Sequence, residues 1–137
     1  MDPIEVTFGA SGIKDAYKLV LASKSLDVIC TSKDFRDVIG DFYDNQLYPE
    51  IVKKQLREVI PSTPDNKEYQ AKTQTANHKI GLMAPKYPSE TDLLITDSEI
   101  ILVSFQKDQP VAMISRNSEM IKQMRTLFEK VWETCEK

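Results

Sequence analysis

The side chains that most often do chemistry are scarce here, so each can be weighed by itself. His78 is the only histidine. Cleaving a phosphodiester with a paired imidazole and ammonium needs His-x-Lys with an acid following, so that both groups address one phosphate. In this chain Ile80 stands where that lysine would be, and Lys79 adjoins the histidine directly. His78 is therefore expected to be an ordinary surface residue at the end of the polar stretch from Gln74. No G-x-S-x-G elbow offers a serine nucleophile. Gly9 and Gly12 are neither spaced nor followed as a phosphate-binding loop requires. A phosphoryl-accepting aspartate is missing where the third predicted strand ends, Ile60-Pro61-Ser62-Thr63.

Cys30 and Cys135 are far apart and, with one histidine, form no zinc-ligand spacing. Cys30 stands at a strand end before a helix start, where a thiol can become more acidic. A buried structural thiol is the simpler expectation. Asp97 and Asp108 fall at hairpin turns, which explain them without catalysis. No catalytic residue, metal or cofactor is expected.

One recurring feature points to binding instead. Three predicted strands enter helices through small polar residues: Ser11-Gly12, Thr31-Ser32 and Ser62-Thr63. In a parallel arrangement these helix starts gather at the carboxyl edge of the sheet, the usual ligand crevice of open α/β folds. Free backbone N–H groups there suit anions or polyhydroxyl compounds. Each pair also meets the ordinary demand of a helix for an N-cap. Ser11, Gly12, Thr31, Ser32, Ser62 and Thr63 are thus the candidate ligand-binding residues, for a small polar metabolite.

The elements that would position them follow from periodicity. Ile4, Val6 and Phe8 alternate as a half-buried strand. Ser11 is expected to cap a helix reaching about Ala22, and Leu26 to Cys30 reads as a short strand. Thr31 with Asp34 approximates a capping box for a helix carrying Phe35, Val38, Ile39, Phe42 and Tyr43, with a further helical piece around Tyr48 to Val52. Arg57 to Ile60 predicts a third strand. Thr63-Pro64 then predicts a helix start, with its cap followed by proline at the first helical position. That helix runs to about Thr73.

Beyond the loop, Lys79 to Met83 is a possible strand, Leu93 to Phe105 a hairpin, and Val111 to Ile114 another strand. A final helix starts near Asn117 or Ser118, with Met120, Ile121, Met124, Leu127, Phe128, Val131 and Trp132 on a broad apolar stripe. The predicted fold is a mixed α/β sheet: βα units, then an antiparallel meander, then a C-terminal helix.

At 137 residues with 41% hydrophobic content the chain is expected to form one domain spanning residues 1–137. A net charge of −3, with neither half basic, argues against direct nucleic-acid binding. Met1-Asp2-Pro3 carries no targeting signal and no apolar run is long enough to span a membrane, so a cytoplasmic protein is expected.

Four stretches carry a family resemblance: Phe8-Gly9-Ala10-Ser11-Gly12-Ile13; Val59-Ile60-Pro61-Ser62-Thr63-Pro64; the hairpin from Ile95 to Phe105; and Leu127-Phe128-Glu129-Lys130-Val131-Trp132. Together the pattern resembles the C-terminal effector-sensing domain of TrmB-like transcription regulators, which is similar in fold to one half of a phospholipase D. The resemblance implies a non-catalytic sensing or dimerisation module, sugar-like effectors and a homodimer. In that family a DNA-binding winged helix-turn-helix normally precedes this domain. Here the chain opens on the first strand, so no DNA-binding domain is expected within residues 1–137; a free-standing sensor and a piece of a longer regulator both stay open. The loop from Ala71 to Lys79 departs from the family by lacking an arginine-bearing segment. Two other readings stay open: a divergent phosphodiesterase or other hydrolase of the same fold, and a protein-interaction adaptor.

Overall fold

The computed structural model describes residues 3–137; Met1 and Asp2, read above as free of a targeting signal, lie outside the described residues. Seven strands form one mixed sheet: β1 (Ile4–Phe8), β2 (Ser25–Cys30), β3 (Gln55–Pro61), β4 (His78–Met83), β5 (Thr91–Ile95), β6 (Ile100–Ser104) and β7 (Val111–Ser115). Their spatial order is β1-β7-β6-β5-β2-β3-β4. Only β2, β3 and β4 pair in parallel, while β5, β6 and β7 form the expected antiparallel meander. The remaining strand, β1, pairs antiparallel with β7.

That last pairing separates what the sequence seemed to bring together. β1 points the same way as β2 but lies four strands from it, roughly 19 Å at ordinary strand spacing. The helix start at Ser11-Gly12 therefore does not join those at Thr31-Ser32 and Ser62-Thr63. Sequential βα units do not require adjacent strands, and the meander has inserted itself between the first and second.

The helices are α1 (Gly9–Lys18), extended by a 3₁₀ turn over Leu19–Ala22, α2 (Arg36–Ile39), α3 (Tyr48–Ile51), α4 (Pro64–Thr73) and α5 (Ser118–Thr134). β1 passes into α1 without a linker, and Gly9, at φ 72°, makes that corner. Such a backbone conformation is cheap only for glycine. The helix therefore starts before Ser11, whose side chain caps nothing. Thr31 and Ser32 are likewise no capping box: α2 is a single turn beginning at Arg36, joined to α3 through a π turn over Tyr43–Leu47. The Thr63 cap is as predicted, its hydroxyl accepting the Asn66 N–H at 3.1 Å. Asn117 caps α5 in the same way, accepting from Glu119 and Met120.

Two layers cover the sheet. On one face α1 to α3 bury the main core, including Ile13, Tyr17, Leu26, Val28, Leu94, Ile101 and Phe105. On the other, α5 packs Phe128, Val131 and Trp132 against Val59 and Ile95. Arg57 fixes α5 to the sheet. Its guanidinium donates to both Asp27 oxygens at 2.8 Å and to Glu129 at 2.6 and 3.3 Å, and lies over the Phe128 and Trp132 rings. No helix among the described residues is long and apolar enough to cross a membrane.

Candidate functional site

A cavity of about 380 Å³ opens where β2, β3 and β5 meet the irregular segment from Phe35 to Ile51 and the first turns of α4. Its walls are mostly apolar. Its polar groups are unusual, because two carboxylates, Glu58 and Asp92, are each only 6% exposed. The pairing explains this placement. Val28 lies beside Glu58 on one side and Leu94 on the other, while Cys30 faces Asp92. Side chains two residues apart on a strand share a face. Glu58 and Asp92 therefore point the same way as the core residues Leu56, Ile60 and Leu94.

Asp92 is held by neutral donors. The Tyr17 hydroxyl donates to one oxygen, and the Ser32 hydroxyl donates to the other at 2.7 Å. The Cys30 thiol and the Ser32 backbone N–H lie against the same carboxyl, and burial outweighs all these contacts to push Asp92 above the usual carboxylate range. Burial, then the Asp92 charge, pushes up the Tyr17 hydroxyl and the Cys30 thiol in turn. Cys30 is thus the opposite of an activated nucleophile.

Glu58 heads a second chain. One of its oxygens contacts His78 Nε2 and accepts from the Tyr69 hydroxyl at 2.7 Å, and Tyr69 meets the Tyr48 hydroxyl at 2.9 Å. His78 is only 2% exposed and begins β4, which corrects the expectation of a surface loop histidine. Its neighbours on that face of the strand, Ile80 and Leu82, belong to the core. Tyr43 also lines the cavity, and its hydroxyl feels both carboxylates. It is pushed up by burial and then by the Glu58 charge, with Cys30, Asp92 and Tyr48 also within electrostatic reach.

Of the six candidate residues from the sequence, Ser32 lines this cavity and the other five do not. Thr31 turns to the carbonyl of Thr91 and the hydroxyl of Ser89. Ser62 and Thr63 are exposed beside α4, and Ser11 is exposed on α1. Gly12 is buried against β1, where an added Cβ would come within 2.9 Å of the Thr7 carbonyl carbon. Its lack of a side chain lets α1 close onto β1. Sequence reasoning missed Glu58, Asp92, Tyr17, Tyr43 and Tyr69. A signal existed for the first two: each is an acidic residue in phase with the buried positions of its strand.

No protein-family model matches the chain, and no curated protein matches it in sequence. Solved structures do. The chain superimposes on TrmBL2, an archaeal chromatin protein described as having a novel mode of DNA binding, with TM-score 0.62 and 10% identity. That match covers 99% of this chain and 54% of TrmBL2, so the chain spans about half of that protein's length. It is similar to Nuc of Salmonella typhimurium, a phospholipase D family member, with TM-score 0.64, 10% identity and coverage of 97% and 95%. It is also similar to NucT from Helicobacter pylori, with TM-score 0.62, 14% identity and 96% coverage of both chains. The fold is the phospholipase-D-like fold, as the sequence resemblance implied.

Proposed function

We propose that this chain is a non-catalytic regulatory module that binds a small polar metabolite in the cavity between Glu58 and Asp92. The observation that carries the reading is the character of that cavity: apolar walls around a few convergent, deeply buried polar groups, the ordinary composition of a ligand site. The groups themselves suit binding rather than turnover. Cys30 is held as a thiol, and His78 stands behind Glu58, outside the lining. TrmBL2 shares the fold in a protein described as binding DNA. With a net charge of −3, this chain would serve such a system as a sensing part rather than as the DNA contact. The cavity replaces the scattered helix starts as the proposed binding locus.

The test is a thermal-shift screen of the chain against small polar metabolites. A ligand at a hundred times its dissociation constant should stabilise the fold by about 2.7 kcal/mol, and Asp92→Asn should abolish that gain. A flat response across the panel would reject the reading. Turnover of a generic phosphodiester that vanished in His78→Ala would favour the hydrolase alternative instead.

We propose further that two copies pair through the sheet face beyond α5. There Leu93, Leu102, Met113 and Val6 stand in register across four strands, and the last three are 41, 45 and 48% exposed. Phe8, on the same face of β1 as Val6, and Met120, beside Leu93, Leu102 and Met113, extend this apolar surface. An isologous two-fold contact is the commonest way to bury such a patch. Sedimentation equilibrium at micromolar protein should give the mass of two chains, and Met113→Asp should give that of one. A monomer in the unsubstituted chain would remove the dimer.

A further inference from the structure

We infer that the cavity takes a ligand carrying a cationic nitrogen, with Asp92 as its counter-ion. The inference rests on reading the cavity as a ligand site and adds the chemical class of the ligand. A buried carboxylate normally meets a lysine, arginine or metal, because neutral hydrogen bonds compensate only part of the lost hydration. Asp92 has only uncharged partners: the hydroxyls of Tyr17 and Ser32, the backbone N–H of Ser32 and the thiol of Cys30. No basic side chain pairs with it among the described residues. Hydroxyl donors orient the carboxylate, and the cavity gives a ligand access to it.

Glu58 supplies an independent observation. Both of its protein contacts, His78 and Tyr69, fall on the same oxygen. The other oxygen has no protein donor, although the residue is 6% exposed and lines the cavity. Every fully buried side-chain oxygen among the described residues is paired, so this one opens onto the cavity, where an entering donor can reach it. Tyr43 also lines the cavity, within electrostatic reach of both carboxylates. The walls agree with a cation, since aromatic rings stabilise an ammonium group through their π faces. Those walls include the aromatic residues Tyr17, Phe35, Tyr43, Tyr48 and Tyr69.

The one basic side chain in the lining does not favour an anion. Arg36 donates from Nε and Nη2 to the two Asp44 oxygens at 2.6 and 2.8 Å, and stacks on Phe35. Its fork is already filled. With Asp44 matched to Arg36, Glu58 and Asp92 set the sign of the interior. At about 380 Å³ the site suits a small organic amine.

The experiment uses three probes of nearly equal shape, benzylamine, benzyl alcohol and benzoate, titrated into the full chain while backbone amide NMR shifts are followed. Benzylamine should move the amides of Ser32, Tyr43 and Asp92 saturably, with the alcohol and the benzoate at least about tenfold weaker. Asp92→Asn should cost benzylamine at least about tenfold and remove its advantage over the alcohol. Glu58→Gln should weaken it in the same direction, which covers failure of either variant to fold. If the alcohol or benzoate fills the cavity as tightly as the amine, the cation inference falls and the ligand site stands. If none of the three perturbs the cavity at millimolar concentration, both fall together.

Discussion

The two faces of the sheet handle buried charge in opposite ways. Under α5, the guanidinium of Arg57 has two carboxylates within hydrogen-bond distance and two aromatic rings against its plane. Each carboxylate has a charged donor in the same guanidinium, and the helix lies close on the strands. Under α1 to α4, two carboxylates are buried more deeply, and the groups around Asp92 are uncharged. The first arrangement fastens an element. The second holds acceptors ready beside a cavity, which makes sense as recognition. The backbone shows the same contrast. α5 is one regular helix of 17 residues, whereas the cavity's roof is two single helical turns joined by a π turn. Irregular helical turns of that kind gather at functional sites.

The comparison is broken most directly at His78. His78→Ala removes a partner of Glu58 and leaves a void beneath α4. Truncating one member of a buried polar pair typically costs about 3 kcal/mol or more. Urea unfolding should show that loss. A change under about 1 kcal/mol would mean that the contact between His78 and Glu58 does little to hold β4 and α4 in place. On the other face, Arg57→Ala removes charge-assisted hydrogen bonds to Asp27 and Glu129 together with the stacking on Phe128. Because the side chain is 30% exposed, solvent screens part of the effect, and about 2 kcal/mol is expected. The amide shifts of Ser32 and Asp92 should stay unchanged in that variant. Movement there would show that the two faces are coupled.

How much of this was legible beforehand depends on whether a signal is local. Thr63-Pro64, Asn117 and the hairpin around Thr96 to Glu99 were readable because caps and turns are decided within a few residues. The placement of β1 was not. Its partner β7 lies about a hundred residues away, and nothing in the alternation of Ile4, Val6 and Phe8 records which strand it meets. The helix-start hypothesis failed to gather its residues for that reason. His78 was misjudged for a different one: it follows a polar stretch, and only the register of β4 against β3 turns it inward. Glu58 and Asp92 were the legible part left unread. An acid in phase with Leu56 and Ile60, or with Leu94, faces the core wherever the strand is buried on that side.

The smallest effect is expected in Asp92→Asn, and its sign is the most informative. The variant replaces a buried carboxyl by an amide of the same shape but alters the bonds from Tyr17 and Ser32, so stability at neutral pH should change by no more than about 1 kcal/mol. Its pH dependence should differ. Burial raises the Asp92 carboxyl above its unfolded value, so the neutral form is the one the fold prefers. The resulting stabilisation is complete below the unfolded carboxylate value of about 4 and is lost as pH rises through the folded one. Relative to Asp92→Asn, the unsubstituted chain should therefore gain stability as pH falls toward about 4. Asp44, Asp97 and Glu129 are shifted downward by their partners. Their contributions are lost below about 4, in a separate window, and cancel between the two proteins. Titratable neighbours of Asp92, namely Tyr17, Tyr43 and Cys30, are all pushed upward and stay neutral through this range. Thermal melts at half-unit pH steps would measure the difference. Saturating benzylamine should then reverse its sign, because a bound ammonium favours the ionised carboxylate. A difference that does not depend on pH, with or without the amine, would mean that Asp92 is not the uncompensated charge of the cavity.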